Sequence, residues 1–311
     1  MQKRRLLAGA VAVGALALAG CAGNSVNSSS SSGTKATHGV VNISGQNFTE
    51  AEIVAEIYAG LLRTHGYQPS VKLVGTRDVY MATFPKSIDV VPEYTGGIVD
   101  FLIARDKGAN APVPTSSNPN TVISQAKPEL DQAGITLLNP SEATDTNAFF
   151  VTKKYSQENH VTKLSDLKGK SVVLAAAPDC QGRLDCAGGL EDKYGIKITK
   201  ILPLGFASPQ TYQSVKKGES QLGLTSTTDA TLKSQGLVLL ADDKHIQPAQ
   251  NLVPAVSTAF LNAHPDIEAP LNELMAKLNT RELTALNFDV TVNRETPSAV
   301  AQKFLNDAGL G

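Results

Sequence analysis

Tryptophan is absent from the 311 residues, and the other aromatics are limited to seven tyrosines and nine phenylalanines. Any aromatic cage in this chain therefore has to be assembled from Tyr and Phe. Catalytic signatures are missing as well. There is no Gly-x-Ser-x-Gly elbow, no Walker A loop and no His-Glu-x-x-His helix, and the five histidines are scattered without a partner pattern. The acids Glu50/Glu52 and Asp242-Asp243 read as solvated carboxylates at a helix start and in a loop. An enzyme is not expected, and neither is a cofactor or a metal site. Charge is nearly balanced, with 28 basic against 29 acidic residues, and no basic stripe argues for a nucleic-acid partner. Beyond the first twenty residues, no apolar run is long enough to cross a bilayer.

The N-terminus does carry a signal. Lys3, Arg4 and Arg5 precede an uncharged run from Leu6 to Leu18, which has the layout of an export signal and is too short to span a membrane. Leu18-Ala19-Gly20-Cys21 resembles the bacterial lipobox, so residues 1–20 read as a lipoprotein signal peptide and Cys21 as the lipidated residue. Acyl chains contribute about 0.8 kcal/mol per buried CH₂, and two or three of them tether a protein firmly. Residues 21–39 are dominated by Ser, Asn and Gly and read as a flexible tether. The expected location is extracytoplasmic, on the cell membrane. Cys180 and Cys186, with five residues between them, read as a disulfide in an exported chain. A zinc site there would need further ligands, and His160, the closest histidine, fits no ligand spacing.

From Val40 onward, short apolar runs alternate with helical segments. Strands are expected at Val40–Ser44, Val71–Val74, Ile88–Val91, Phe149–Val151, Val172–Leu174, Leu222–Leu224 and Leu237–Leu240. A capping box at Thr49 and Glu52 should open a helix with Ile53, Ile57, Leu61 and Leu62 on its apolar face. Pro265 to Leu310 is helical throughout, with turns near Thr280 and at Thr296-Pro297. This alternation argues for an α/β fold with largely parallel sheets, arranged as two lobes around a ligand cleft.

Three polar segments sit at strand ends. Ser44 to Glu50 leaves a strand for a helix, and the free backbone N–H groups there suit an anion, although an ordinary βα turn reads the same way. Tyr94, in Pro92-Glu93-Tyr94-Thr95-Gly96, follows a strand and can face a cleft or simply pack. Arg183, inside the Cys180–Cys186 loop, is placed to fork onto a carboxylate; the plainer alternative is a surface pair with Asp179 or Asp185.

Together with Ser226-Thr227-Thr228-Asp229 and Asp242-Asp243-Lys244, these segments resemble the glycine betaine/choline/carnitine-binding proteins of osmoprotectant ABC importers, from about Val40 to the C-terminus. The resemblance implies a type II periplasmic-binding-protein fold, two α/β lobes joined by two hinge crossovers. Lobe I is expected at 40–144 plus 248–311, and lobe II at 145–247. It also implies a quaternary ammonium held in an aromatic box and delivery to a membrane permease. Carried over by position, Tyr94 matches a box tyrosine, Gln46 a polar contact, and Asp179 and Arg183 a cleft acid and base. The other box positions fall on polar residues: Asn147 in Asp145-Thr146-Asn147-Ala148, Ser226, and Gln250-Asn251. Gln46, Tyr94, Asn147, Asp179, Arg183, Ser226, Gln250 and Asn251 are thus the expected cleft lining, with Phe48 and Phe206 as substitute aromatic faces. A depleted box leaves room for a neutral polar or aromatic solute on the same fold, or for a lipid-anchored hydrolase of a small polar substrate.

Overall fold

In a computed structural model of the chain, residues 38–108 and 111–311 are described. The expected signal peptide, Cys21 and nearly all of the expected tether lie outside them. The first sheet is built from β1 (Val40–Gln46), β2 (Gln68–Val74), β3 (Val90–Tyr94), β4 (Ile135–Leu137) and, far along the chain, a strand at Leu252–Ser257. The second sheet takes β5 (Asn147–Thr152), β6 (Ser171–Ala176), β7 (Lys197–Pro203), β8 (Leu222–Ser226) and β9 (Leu237–Leu240). The Leu252–Ser257 strand is β10. Spatial orders are β2-β1-β3-β10-β4 and β7-β6-β8-β5-β9.

Both sheets are mixed, which corrects the largely parallel arrangement expected from the alternation. β1 runs parallel to β2 and β3, and β6 runs parallel to β7 and β8. By contrast, β10 is antiparallel to β3 and β4, and β5 is antiparallel to β8 and β9. The reversed strands are those that receive the chain after each passage between sheets. The outgoing and returning segments lie side by side. Thr144 bridges Asn251 in antiparallel register, Asp145 N–H donates to Gln250 O at 3.1 Å and Leu252 N–H to Ala143 O at 2.9 Å.

Helices cover both sheets, the shorter ones including α2 (Arg77–Met81), α4 (Pro119–Gln125), α5 (Lys127–Ala133) and α6 (Lys153–Asn159). α1 (Thr49–Thr64) buries Ile53, Ile57, Tyr58, Leu61 and Leu62 against the first sheet. α10 (Glu268–Lys277), α11 (Thr280–Thr291) and α12 (Pro297–Ala308) return to the same face through Leu274, Leu283 and Leu305. α11 and α12 begin at the turns expected near Thr280 and at Thr296-Pro297: Asn279 Oδ1 accepts from Glu282 N–H, and Thr296 caps α12 with Pro297 in its first turn. α3 (Thr95–Lys107) covers the opposite face. In the second sheet α7 (Ala187–Asp192) packs through Leu190 on one side, and α8 (Pro209–Lys217) packs through Val215 on the other.

The start of α1 differs from the expected capping box. Phe48 occupies the cap position with extended backbone and no side-chain cap bond, and Thr49 is the first helical residue. A disulfide joins Cys180 to Cys186, with Cα atoms 5.4 Å apart.

Candidate functional site

The C-terminal end of β1 delivers Phe48 and Glu50 to the gap between the sheets. Glu50 is not solvated, as a helix-start acid was expected to be; only 4% of it is exposed. Its carboxylate accepts from the Tyr94 hydroxyl and from Asn287 Nδ2 at 2.6 Å. Asn287, on α11, also donates to Thr228 O across the gap at 3.4 Å. Asp145, on the outgoing crossing segment, accepts from Thr228 Oγ1 at 3.2 Å.

These two acids face each other in an environment poor in water. Burial first, and then the Asp145 charge, push the Glu50 carboxyl from 4.5 up to about 7. Burial likewise raises Asp145, against the opposing effect of hydrogen bonds from Thr228 and Ser226. Among the described residues neither acid forms an ion pair with a lysine, arginine or histidine. A desolvated pair of carboxylates with no cationic partner is an unfavourable arrangement, which a bound cation would relieve.

Aromatic rings stand around the pair. Glu50 and Asp145 line a pocket of about 320 Å³ together with Phe48 and Asn287 from the first sheet's side and Phe206, Tyr212, Ser226 and Thr228 from the second. That volume is at the lower end of the range for small-molecule sites. Phe48 is 38% exposed and Phe206 46%, so each side offers an unburied ring. The Tyr94 ring lies 6.5 Å from Phe48, at 26° to it. Phe206 is presented by a tight loop in which Gly205 (φ 103°) and Ala207 (φ 44°) both adopt the left-handed region. For Ala207 that conformation is strained, a feature that concentrates at ligand sites.

The expected cleft residues divide into groups. Tyr94 contacts Glu50, and Ser226 lines the acidic pocket. Asn147 pairs with Ser226 across the sheet, and its amide donates to Asp185 Oδ2 at 3.0 Å. Arg183 is taken up by Asp179 at 2.7 Å and Asp185 at 2.6 Å, the plainer of its two readings. It lines a second pocket of about 660 Å³ with Asp100 and His245. Gln250 accepts from Gly97 N–H at 3.0 Å, holding the returning segment to the start of α3. Asn251 is 9% exposed and donates to Ser141 O at 2.8 Å, so its amide serves the crossing. Gln46 is half-buried at the end of β1. Glu50, Asp145 and Thr228 lie in polar segments read from the sequence but were not expected as cleft lining, and Asn287 lies in none of them; only the tertiary fold joins the four.

A family model for the substrate-binding domain of ABC-type glycine betaine transport systems matches residues 39–307. The chain belongs to that family. This substrate-binding protein is 27% identical over 278 residues to a glycine-betaine-binding protein of Pseudomonas aeruginosa, covering 85% of this chain and 86% of the relative. It is 26% identical to the glycine betaine-binding protein YehZ of Escherichia coli, covering 84% and 88%. A crystal structure described as a glycine betaine/carnitine/choline ABC transporter superposes with a TM-score of 0.73 at 21% identity, covering 87% of this chain and 98% of that one. The substrate-binding protein thus has the two-lobe α/β architecture of type II periplasmic binding proteins.

Proposed function

We propose that the protein is the lipid-anchored, extracytoplasmic binding component of an ABC importer. In this reading it captures a small quaternary ammonium solute in the pocket between the lobes and presents it to a membrane permease. The observation that carries the ligand assignment is the buried Glu50–Asp145 pair, without a cationic partner among the described residues, beside the exposed rings of Phe48 and Phe206. Family membership supports the transport role, and Leu18-Ala19-Gly20-Cys21 supports the anchor.

Lobe I comprises 40–144 plus 248–311 and lobe II 145–247, with hinge rotation at the paired segments 143–146 and 249–252. Tyr94 and Ser226 act with Glu50, Asp145 and Asn287 at the ligand. Asn147, Asp179 and Arg183 set the neighbouring wall of lobe II, while Gln250 and Asn251 fix the hinge, and Gln46 supports the approach from β1. The protein binds its solute and performs no reaction on it.

The charge of the pocket orders the ligands within this class. Among the described residues no lysine or arginine lines the acidic pocket. Arg183 is paired with Asp179 and Asp185, and Arg77 with Glu93. A ligand carboxylate therefore meets the acids Glu50, Asp145 and Asp229 and no cation in the lining. Choline, a net cation, is the better fit, and zwitterionic glycine betaine the poorer one. Calorimetry at pH 8 should show choline binding at least about tenfold more tightly than glycine betaine. Glu50→Gln should weaken choline by a similar factor or more, since each 1.4 kcal/mol is a factor of ten. Tight binding of a neutral polyol with no heat from any quaternary ammonium compound would reject the assignment.

A further inference from the structure

At the other end of β1 a second polar cluster forms. β1 has seven residues, so its ends are roughly 20 Å apart at ~3.3 Å per residue. Phe48 lies just beyond one end and His38 just before the other. The five histidines show no partner pattern in sequence, yet the fold brings His38, from the start of the described chain, to His264 and Asp266 in the turn between α9 (Thr258–Ala263) and α10. One ligand atom from each of the three lies within 4.8 Å of the others.

Each donor is held by something else. His38 N–H donates to Gly66 O at 3.2 Å, and its ring lies 4.9 Å from that of Tyr67. Tyr67 is only 2% exposed and donates its hydroxyl to Asp266 Oδ2 at 2.8 Å. The His264 ring lies against Phe260 at 4.5 Å and meets the edge of Tyr67 at 5.6 Å. One buried tyrosine therefore orients the carboxylate and braces both imidazoles, as supporting residues do around metal ligands. His38 Nδ1 stands 3.8 Å from Asp266 Oδ2. Among the described residues no lysine or arginine pairs with Asp266.

We propose that His38, His264 and Asp266 bind one divalent transition cation of the zinc, nickel or copper class on the outer edge of the first lobe. Two imidazoles and a carboxylate are the donor set such cations favour, and hard cations such as Mg²⁺ and Ca²⁺ prefer all-oxygen sites. Zinc–ligand bonds are about 2.0–2.2 Å long. Drawing the three donors onto one ion takes only small side-chain rotations, and His38, His264 and Asp266 are at least partly open to solvent. The remaining positions would be filled by water. A bound ion would clip the segment entering β1 to the turn after α9, tying together two distant parts of the first lobe.

The test uses the full mature chain, stripped with a chelator and titrated with Zn²⁺ by calorimetry and with Co²⁺ by visible absorption. The expected result is one saturable equivalent, Co²⁺ absorption bands of a nitrogen-and-oxygen site, and a higher Tm with Zn²⁺. His38→Ala and His264→Ala should each weaken Zn²⁺ binding at least about tenfold, and His160→Ala should leave it unchanged. Far-ultraviolet circular dichroism and the metal-free Tm report that every variant still folds. The proposal is overturned if no saturable Zn²⁺ binding occurs below millimolar concentration. It is equally overturned if the His38→Ala/His264→Ala double variant, still folded, keeps the wild-type zinc affinity.

Discussion

Glu50 concentrates the chemistry of this protein in one side chain. In an unfolded chain its carboxyl titrates near 4.5, and in the folded protein burial and Asp145 raise it to about 7. A raised acid binds its proton more tightly in the native state, so its contribution to stability is complete below about pH 4.5 and is lost as pH rises through 7. A shift of that size corresponds to ~3 kcal/mol. The Tm of the unliganded protein should therefore fall between pH 5 and pH 8, and Glu50→Gln should flatten that slope; an equally steep slope in the variant would locate the cause elsewhere. Choline affinity should move the opposite way, strengthening by up to about tenfold per pH unit below 7 and levelling off above it as the acid ionises. In the sequence Glu50 looks like any acid at a helix start. Its burial depends on Asn287 and Thr228, which no local pattern connects to it. Tyr94 was expected to face a cleft or to pack; its hydroxyl donates to Glu50 and its ring packs against the first sheet's core.

At the level of strands and helices, local chemistry explains most of what could be read and what could not. The turns near Thr280 and at Thr296-Pro297 and the apolar stripe of α1 were visible because each is a short-range pattern. β4, β7 and β10 were not. β4 has three residues, and β7 is an exposed strand bearing Lys197 and Lys200, with a register shift against β6. β10 contains Pro254, which argues against a central strand because proline cannot donate to a ladder. The structure sets Pro254 opposite Pro92 on β3, so the two missing donors share one place in the register. Packing within the second sheet is equally specific. A Cβ on Gly223 of β8 would come 2.3 Å from Phe150 Cζ, in a ring with no exposed surface. Gly223→Ala should cost about 1–3 kcal/mol, read as a lower urea midpoint at unchanged slope. An unaltered midpoint would mean that this core is looser than the distances indicate.

For the molecule as a whole, the two crossing segments decide what the chain can do. They reverse one strand in each sheet, pair with each other through Thr144 and Asn251, and bring Asp145 to the gap between the lobes. The lobes then supply one exposed ring each, Phe48 from the first and Phe206 from the second, on either side of the acidic pair. The architecture and the transport role could be read from the order of the polar segments. The acidic pair could not, since Glu50 and Asp145 come from separate parts of the chain and only the tertiary fold brings them together. Choline affinity in Phe48→Ala, Phe206→Ala and the double variant measures directly whether both lobes grip the solute. Each single change should weaken binding by ~0.5–2 kcal/mol, about 2- to 30-fold, and the double change by more than either. Wild-type affinity in either single variant would contradict a solute held between the two lobes.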